Sequence, residues 1–258
     1  MHSNRIRIDS PSNPRLRRWT RILEDGRRKD ASWVGIEGVK QILELSKLMP
    51  IRELLVDADV TEIPPLLASR SERVFELEGS LYRRISGVES PQGVLAFFDR
   101  PRWSWDDMTP RVLYLDRLQD PGNLGTLIRT AAAAGTFSLA ASPGTVSFFN
   151  RKVVRSSAGL LFRAPFLEDV EPEQLSSRKY RFWLLEPSAE RSLFETALKP
   201  PYAVVVGSEG AGLDRGRYAE AGARGLRIPM AAGVESLNAA VAASLIMYEE
   251  VRRSLDAS

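Results

Sequence analysis

The sequence predicts an α/β protein in two parts: a parallel sheet flanked by helices in the second half, preceded by a smaller α/β layer. Three observations carry this expectation. Beyond residue 110, short apolar runs bounded by turn residues alternate with helical patterns, as parallel strands covered on both faces do. Before residue 100 the same alternation recurs in shorter elements. Between them, Asp99 to Pro110 holds Pro101, Pro110, two tryptophans and several charges without periodicity. The expected domains are therefore 1–100, a linker at 101–110, and 111–258.

In the first part, Trp33–Glu37 reads as a strand and Gly38–Leu48 as an amphipathic helix. Arg52–Val56, Val74–Leu77 and Gly93–Phe98 follow as strands, with a short helix at Pro65–Ser69 and a helical turn at Leu81–Gly87. In the second part the expected strands are Val112–Leu115, Ser138–Ala141, Arg181–Leu185, Ala203–Val206 and Leu226–Ile228. Ligands of such sheets bind beyond the carboxyl ends of the strands, so the loops leaving those strands are the ones to inspect.

Composition narrows the chemistry. There is no cysteine, which excludes disulfides, thiolate metal sites and cysteine nucleophiles. The single histidine is His2, near the amino terminus, so neither a histidine base nor a histidine-ligated metal is expected. No apolar run approaches the roughly 18 residues of a membrane helix, and the basic stretch Met1–Ser12 has no apolar segment behind it. A cytoplasmic protein without metal or membrane partner is the expectation. Net charge is only +3, but nine Lys or Arg against four acids fall between Met1 and Asp30, with Trp19 among them. This segment is either a solvated terminal helix or an arm that binds nucleic-acid phosphates.

Three loops stand out. In Asp116-Arg-Leu-Gln-Asp-Pro-Gly-Asn123-Leu-Gly-Thr-Leu-Ile-Arg129, a strand runs into a Pro-Gly turn and Asn123 stands where a helix cap belongs; Gly135 ends the helix. Arg129 lies off the buried stripe of that helix. In Val206-Gly207-Ser-Glu209-Gly-Ala-Gly-Leu213, three glycines let backbone amides approach a ligand, but their spacing is not the dinucleotide fingerprint and no phosphate-loop lysine is present. In Ile228-Pro-Met230-Ala-Ala-Gly-Val-Glu-Ser236-Leu237-Asn238, a strand enters a loop in which Ser236 is placed to cap a long helix rich in alanine. Taken singly, Asn123 and Ser236 can be plain caps and Arg129 a surface charge.

In this order, the three loops resemble the three motifs of the SpoU (TrmH) branch of the SPOUT RNA methyltransferases. The similarity spans Arg111 to Arg253 and includes Asn150 to Pro165. More loosely, Ile36-Glu-Gly38, Leu81–Gly87 and Gln92-Gly93 resemble the ribosomal-protein-like RNA-binding domain that many members carry. The chain departs from the family pattern at Ser208, often Asn, and at Ala132, often an acid.

The resemblance implies a C-terminal sheet tied in a deep trefoil knot, a homodimer, and S-adenosylmethionine as cofactor. It implies that Gly207, Ile228 and Leu237 contact that cofactor with Met230 close by, and that Asn123, Arg129, Glu209, Ser236 and Asn238 form the reacting end. The implied reaction is methylation of a ribose 2′-hydroxyl in structured RNA, rRNA ahead of tRNA. A guanidinium is a poor base, so Arg129 is expected to grip a phosphate and stabilise charge on the 2′-oxygen. Asn123, Ser236 and Asn238 would orient ribose and cofactor, and Glu209 would position Arg129 or the substrate. Two competing readings are a Rossmann-type nucleotide enzyme and an inactive RNA-binding or ribosome-assembly factor. The glycine spacing counts against the first, and the joint presence of Arg129, Glu209, Ser236 and Asn238 against the second.

Overall fold

Two separate sheets organise the chain. The computed structural model describes residues 5–24, 26, 32–60, 62–207 and 212–256. The chain divides into two compact units: Met1–Pro101 with Phe149–Gly159, and Arg102–Phe148 with Leu160–Ser258. His2, Arg27, Arg28, Lys29, Ser208 and Glu209 lie outside the described residues.

The first unit runs β1 (Ile6–Ile8), α1 (Pro14–Glu24), β2 (Trp33–Glu37), α2 (Val39–Ser46), β3 (Ile51–Asp57), α3 (Pro65–Ser69), β4 (Ser71–Leu77), α4 (Gly79–Ile85) and β5 (Val94–Asp99). Its sheet has the order β1-β4-β3-β5-β2, with β5 antiparallel to both β3 and β2. The basic amino-terminal segment is not merely a solvated helix. Leu16, Trp19 and Leu23 recur at helical spacing on α1 and are buried. Trp19 packs edge-on to Phe75 at 5.1 Å and its indole N–H donates to the buried Glu53 at 2.6 Å. Arg17, Arg18 and Arg21 remain on the exposed side of the helix.

Phe149–Gly159, expected within the second domain, packs as part of the first unit. There α6 (Arg151–Ser156), whose cap is Asn150, sends Arg151 to the Ile85 carbonyl at 2.7 Å and to within 3.6 Å of Glu37.

The second unit runs β6 (Arg111–Asp116), α5 (Pro121–Ala134), β7 (Ser138–Ala141), β8 (Phe166–Leu167), α7 (Pro172–Ser176), β9 (Arg181–Leu185), β10 (Tyr202–Gly207), α8 (Gly216–Ala219), β11 (Arg224–Leu226) and α9 (Ala239–Asp256). Its sheet has the order β11-β9-β10-β6-β7-β8, and every pairing is parallel. The chain moves from β6 outward through β7 and β8, then returns to build β9, β10 and β11 on the other side. The switch in direction therefore falls between β6 and β10, where a crevice opens beyond the strand ends. Val112, Tyr114, Phe182, Val205 and Tyr218 are among the residues that fill the core on one face. Within the stretch expected as a linker, a 3-10 turn at Trp105–Asp107 is held by Ser104 and Asp107, and Trp105 packs against this core.

One strand is displaced from its expected place. The last strand ends at Leu226 rather than beginning there, because its partner β9 ends at Leu185, the residue opposite Leu226. Beyond that point the Arg227 N–H turns to the Arg191 carbonyl at 2.8 Å.

Candidate active site

Asp116 and Gly207 are register partners at the carboxyl ends of β6 and β10, the two strands flanking the switch point. From these ends leave the first and second loops; the third leaves β11 and leads into α9.

The first loop enters α5 differently from expectation. The cap is Asp120, whose Oδ1 accepts the Asn123 N–H at 2.7 Å, and Pro121 occupies the first helical position. An aspartate before a proline suits a helix start, since the proline has no amide hydrogen to satisfy and the carboxylate meets the positive end of the helix dipole. Asn123 therefore sits inside the first turn, with its side chain released from capping. Gly135 closes the helix at φ 68°.

The third loop also differs. Ser236 does not cap α9; it lies exposed, upstream of the helix. The cap is Asn238, whose Oδ1 accepts the amides of Ala240 at 3.0 Å and Val241 at 3.2 Å, while its carbonyl accepts the Ala242 amide. Because the cap fixes the oxygen toward the helix, the amide nitrogen must point outward. It donates to Asn123 Oδ1 at 3.1 Å, joining loops 115 residues apart. Farther along, α5 and α9 run side by side and Thr130 Oγ1 meets Ser244 Oγ at 3.1 Å.

Beside this junction lies a cleft of about 540 Å³. Gly207, Ile228, Met230 and Leu237 all line it, together with Ser236 and Asn238. Glu186 also faces it, and is held by the Arg215 guanidinium, whose Nε donates at 2.7 Å. That pairing raises the ionisation of Arg215 above its ordinary value. A side chain at Gly207 would place its Cβ 2.8 Å from Leu213 and 2.9 Å from the Gly212 carbonyl, so the loop can pass this close only with glycine there.

Arg129 is exposed in the third turn of α5, outside the lining of this cleft, and has no ion-pair partner among the described residues. The structure thus brings Asn123 and Asn238 into contact and gathers Ser236 and the four expected cofactor residues around one cleft. Arg129 stands apart.

Sequence reading passed over Asp116 and Arg217. Asp116 is fully buried at the end of β6 and accepts Arg217 Nη1 at 2.7 Å. Its signal in the sequence is an acid closing an apolar strand. Burial, followed by the charge of Asp116, pushes the neighbouring Tyr218 phenol far above its usual range.

A family model described as the SpoU rRNA Methylase family matches residues 110–248, and one described as an MRM3-like substrate binding domain matches residues 13–96. The 23S rRNA (guanosine(2553)-2′-O)-methyltransferase RlmP of Bacillus subtilis is 30% identical over 244 residues, covering 93% of this chain and 97% of that protein. The AdoMet-bound rRNA methyltransferase from Sinorhizobium meliloti superposes with a TM-score of 0.80 at 27% identity, over 96% of this chain and 98% of its own. The SpoU methyltransferase AviRb from Streptomyces viridochromogenes, in complex with AdoMet, gives a TM-score of 0.81 at 26% identity, over 94% and 98%.

Proposed function

This chain belongs to the SpoU rRNA Methylase family, and we propose that it transfers a methyl group from S-adenosylmethionine to a ribose 2′-hydroxyl of ribosomal RNA. The observation that carries the reading is the cleft at the switch point, lined by Gly207, Ile228, Met230 and Leu237 and closed at one end by Asn238 bonded to Asn123.

The cleft suits the cofactor. Its volume lies within the roughly 300–1,000 Å³ of small-molecule sites. Leu185, Val206, Ile228 and Leu237 offer an apolar wall for a purine, and Gly207 lets backbone approach it. Ser236, Asn238 and Glu186 supply polar groups for ribose and amino-acid ends. When bound there, the cofactor supplies a methyl group on a positively charged sulfur, an activated leaving group.

The residues then divide the work. Transfer to oxygen requires alignment of acceptor, methyl and sulfur, so much of the rate comes from positioning. Asn238, rigid as a helix cap, and Asn123, fixed by it, orient the ribose and the reacting end of the cofactor; Ser236 assists from the same loop. Arg129, outside the cleft, meets the RNA, gripping the adjacent phosphate and stabilising charge on the 2′-oxygen. Glu209 is assigned the positioning of Arg129 or of the substrate.

The unit of Met1–Pro101 with Phe149–Gly159 serves as the RNA-docking domain, and the unit of Arg102–Phe148 with Leu160–Ser258 as the catalytic domain. Arg17 and Arg21, exposed one helical turn apart on α1, face outward for phosphates. The fold of the catalytic part includes the trefoil knot of the superfamily, one of the rare exceptions to unknotted chains.

The active species is a homodimer. Val241, Leu245 and Tyr248 stand exposed at helical spacing on one face of α9. Such a stripe on a helix that carries the site is best covered by a second copy of the chain. No helix among the described residues is long and apolar enough to cross a membrane; the reading places the protein in the cytoplasm, with its RNA.

The test is methyl transfer itself. Incubation with methyl-labelled S-adenosylmethionine and ribosomal RNA lacking its modifications should label one nucleotide on its 2′-oxygen. Label on a base, or none on any RNA, would overturn the reading.

A further inference from the structure

The two described flanks of the second loop, Gly207 before it and Arg217 beyond it, both meet one residue outside the cleft. At the loop's start, Gly207 is the strand partner of Asp116. Past its end, Arg217 of α8 drives its guanidinium onto Asp116 Oδ1 at 2.7 Å, and with its other nitrogen reaches Glu171 at 2.5 Å. The next residue, Tyr218, is fully buried behind the same carboxylate. Two consecutive residues of α8 thus plug into the floor made by Asp116, while Gly207, Gly212 and Leu213 face the cleft.

Asp116 also holds the neighbouring loop. Its Oδ1 accepts from Ser142 Oγ at 3.3 Å, and Ser142 Oγ in turn accepts the Arg117 amide at 2.9 Å. Arg117 adopts φ 57°, rare for a residue with a side chain, and its Nε lies 3.3 Å from Asp116. This strained residue opens the loop that leads to the Asp120 cap and Asn123.

The cost of the arrangement is informative. The Asp116 side chain is 0% exposed, and its Oδ2 is buried without a hydrogen bond among the described residues. A buried carboxylate with one oxygen unserved is a poor choice for stability alone, where an apolar residue would do as well or better.

We propose that Asp116 is a positioning residue for methyl transfer: through Arg217 it fixes where Gly212 and Leu213 stand against the cleft, and through Ser142 and Arg117 the path to Asn123. This rests on the cleft being the S-adenosylmethionine site. The carboxylate touches neither cofactor nor RNA; it sets the distance between the two loops that do.

The experiment compares the full-length protein with Asp116→Asn, Arg217→Met, Arg217→Lys and the Asp116→Asn/Arg217→Met double variant. Each is measured for cofactor affinity by calorimetry, for KM and kcat toward cofactor and RNA, and for Tm. The expected result is cofactor affinity weakened about tenfold in each of the two principal single variants, with RNA affinity unchanged. The double variant should be no weaker than either single, because both remove one coupling, and Arg217→Lys should restore part of the loss. Single variants that keep cofactor affinity within about twofold, independent effects that add in the double, or a lower Tm with folded protein binding cofactor normally would each overturn the proposal. If Asp116→Asn does not fold, the Arg217 pair decides alone, since that side chain is 25% exposed. A wild-type protein that binds no S-adenosylmethionine would defeat the reading of the cleft instead.

Discussion

Asn238 Nδ2 donates to Asn123 Oδ1 across 3.1 Å, so the starts of α5 and α9 are tied through side chains that the backbone has already oriented. Asn238 can make this bond only because its oxygen is committed to the α9 amides. The same residue is a cap and part of the cleft's lining, and the two features can be separated by mutation.

An aspartate in place of Asn238 would keep the cap, since its carboxylate accepts helix amides as well as an asparagine does and favours the positive end of the helix. It would replace the donor facing Asn123 with an acceptor. Asn238→Asp should therefore leave Tm within a few degrees of wild type while lowering kcat at least about tenfold. Asn238→Ala should lose both, costing about 1 kcal/mol of stability as well as activity. Thermal melts paired with methyl-transfer kinetics read the two effects apart.

Arg129 lies outside the cleft, so cofactor binding should not depend on it. Arg129→Ala should bind S-adenosylmethionine normally and lose roughly 100-fold or more in kcat, the usual loss when a donor to developing negative charge is removed. Arg129→Lys keeps charge but not the planar fork and should fall between. Full activity in Arg129→Ala would remove the residue from the mechanism.

The α9 stripe predicts self-association. Val241→Glu places a charge in the middle of the apolar face and should shift the protein from dimer to monomer in sedimentation equilibrium. A dimer that survives this change would move the interface elsewhere.

At the far end of α9, Glu249 is held at about 2, below its ordinary 4.5, chiefly by hydrogen bonds from Arg252 and then from Arg253, against the cost of burial. Its folded-state ionisation is depressed, so its stabilisation is full above 4.5 and disappears as pH falls toward 2. Urea midpoints should drop across that window, and Glu249→Gln should flatten the drop.

Much of this could be read from the chain. Trp33–Glu37, Ser138–Ala141 and Arg181–Leu185 are strands with the bounds expected, because each is a short apolar run between turn residues. Residues Ile6–Ile8 escaped notice: a three-residue edge strand inside a basic run leaves no period to detect. So did Phe166–Leu167, two residues long. The caps expected from the chain were Asn123 and Ser236, and the backbone uses Asp120 and Asn238 instead. That choice put Asn123 inside the first turn of α5 and oriented Asn238 toward it, which local propensity could not foretell. Asp116 was invisible for another reason: its partner Arg217 lies 101 residues away, brought near only by the parallel pairing of β6 with β10.

The most direct check is a calorimetric titration of S-adenosylmethionine into the intact protein, repeated with Gly207→Val. The wild type should show saturable binding, and the variant, whose added carbon atoms would meet Leu213 and the Gly212 carbonyl, should show none at the same concentrations. Saturable binding that persists unchanged in Gly207→Val, or no binding by the wild type, would contradict the assignment of this cleft.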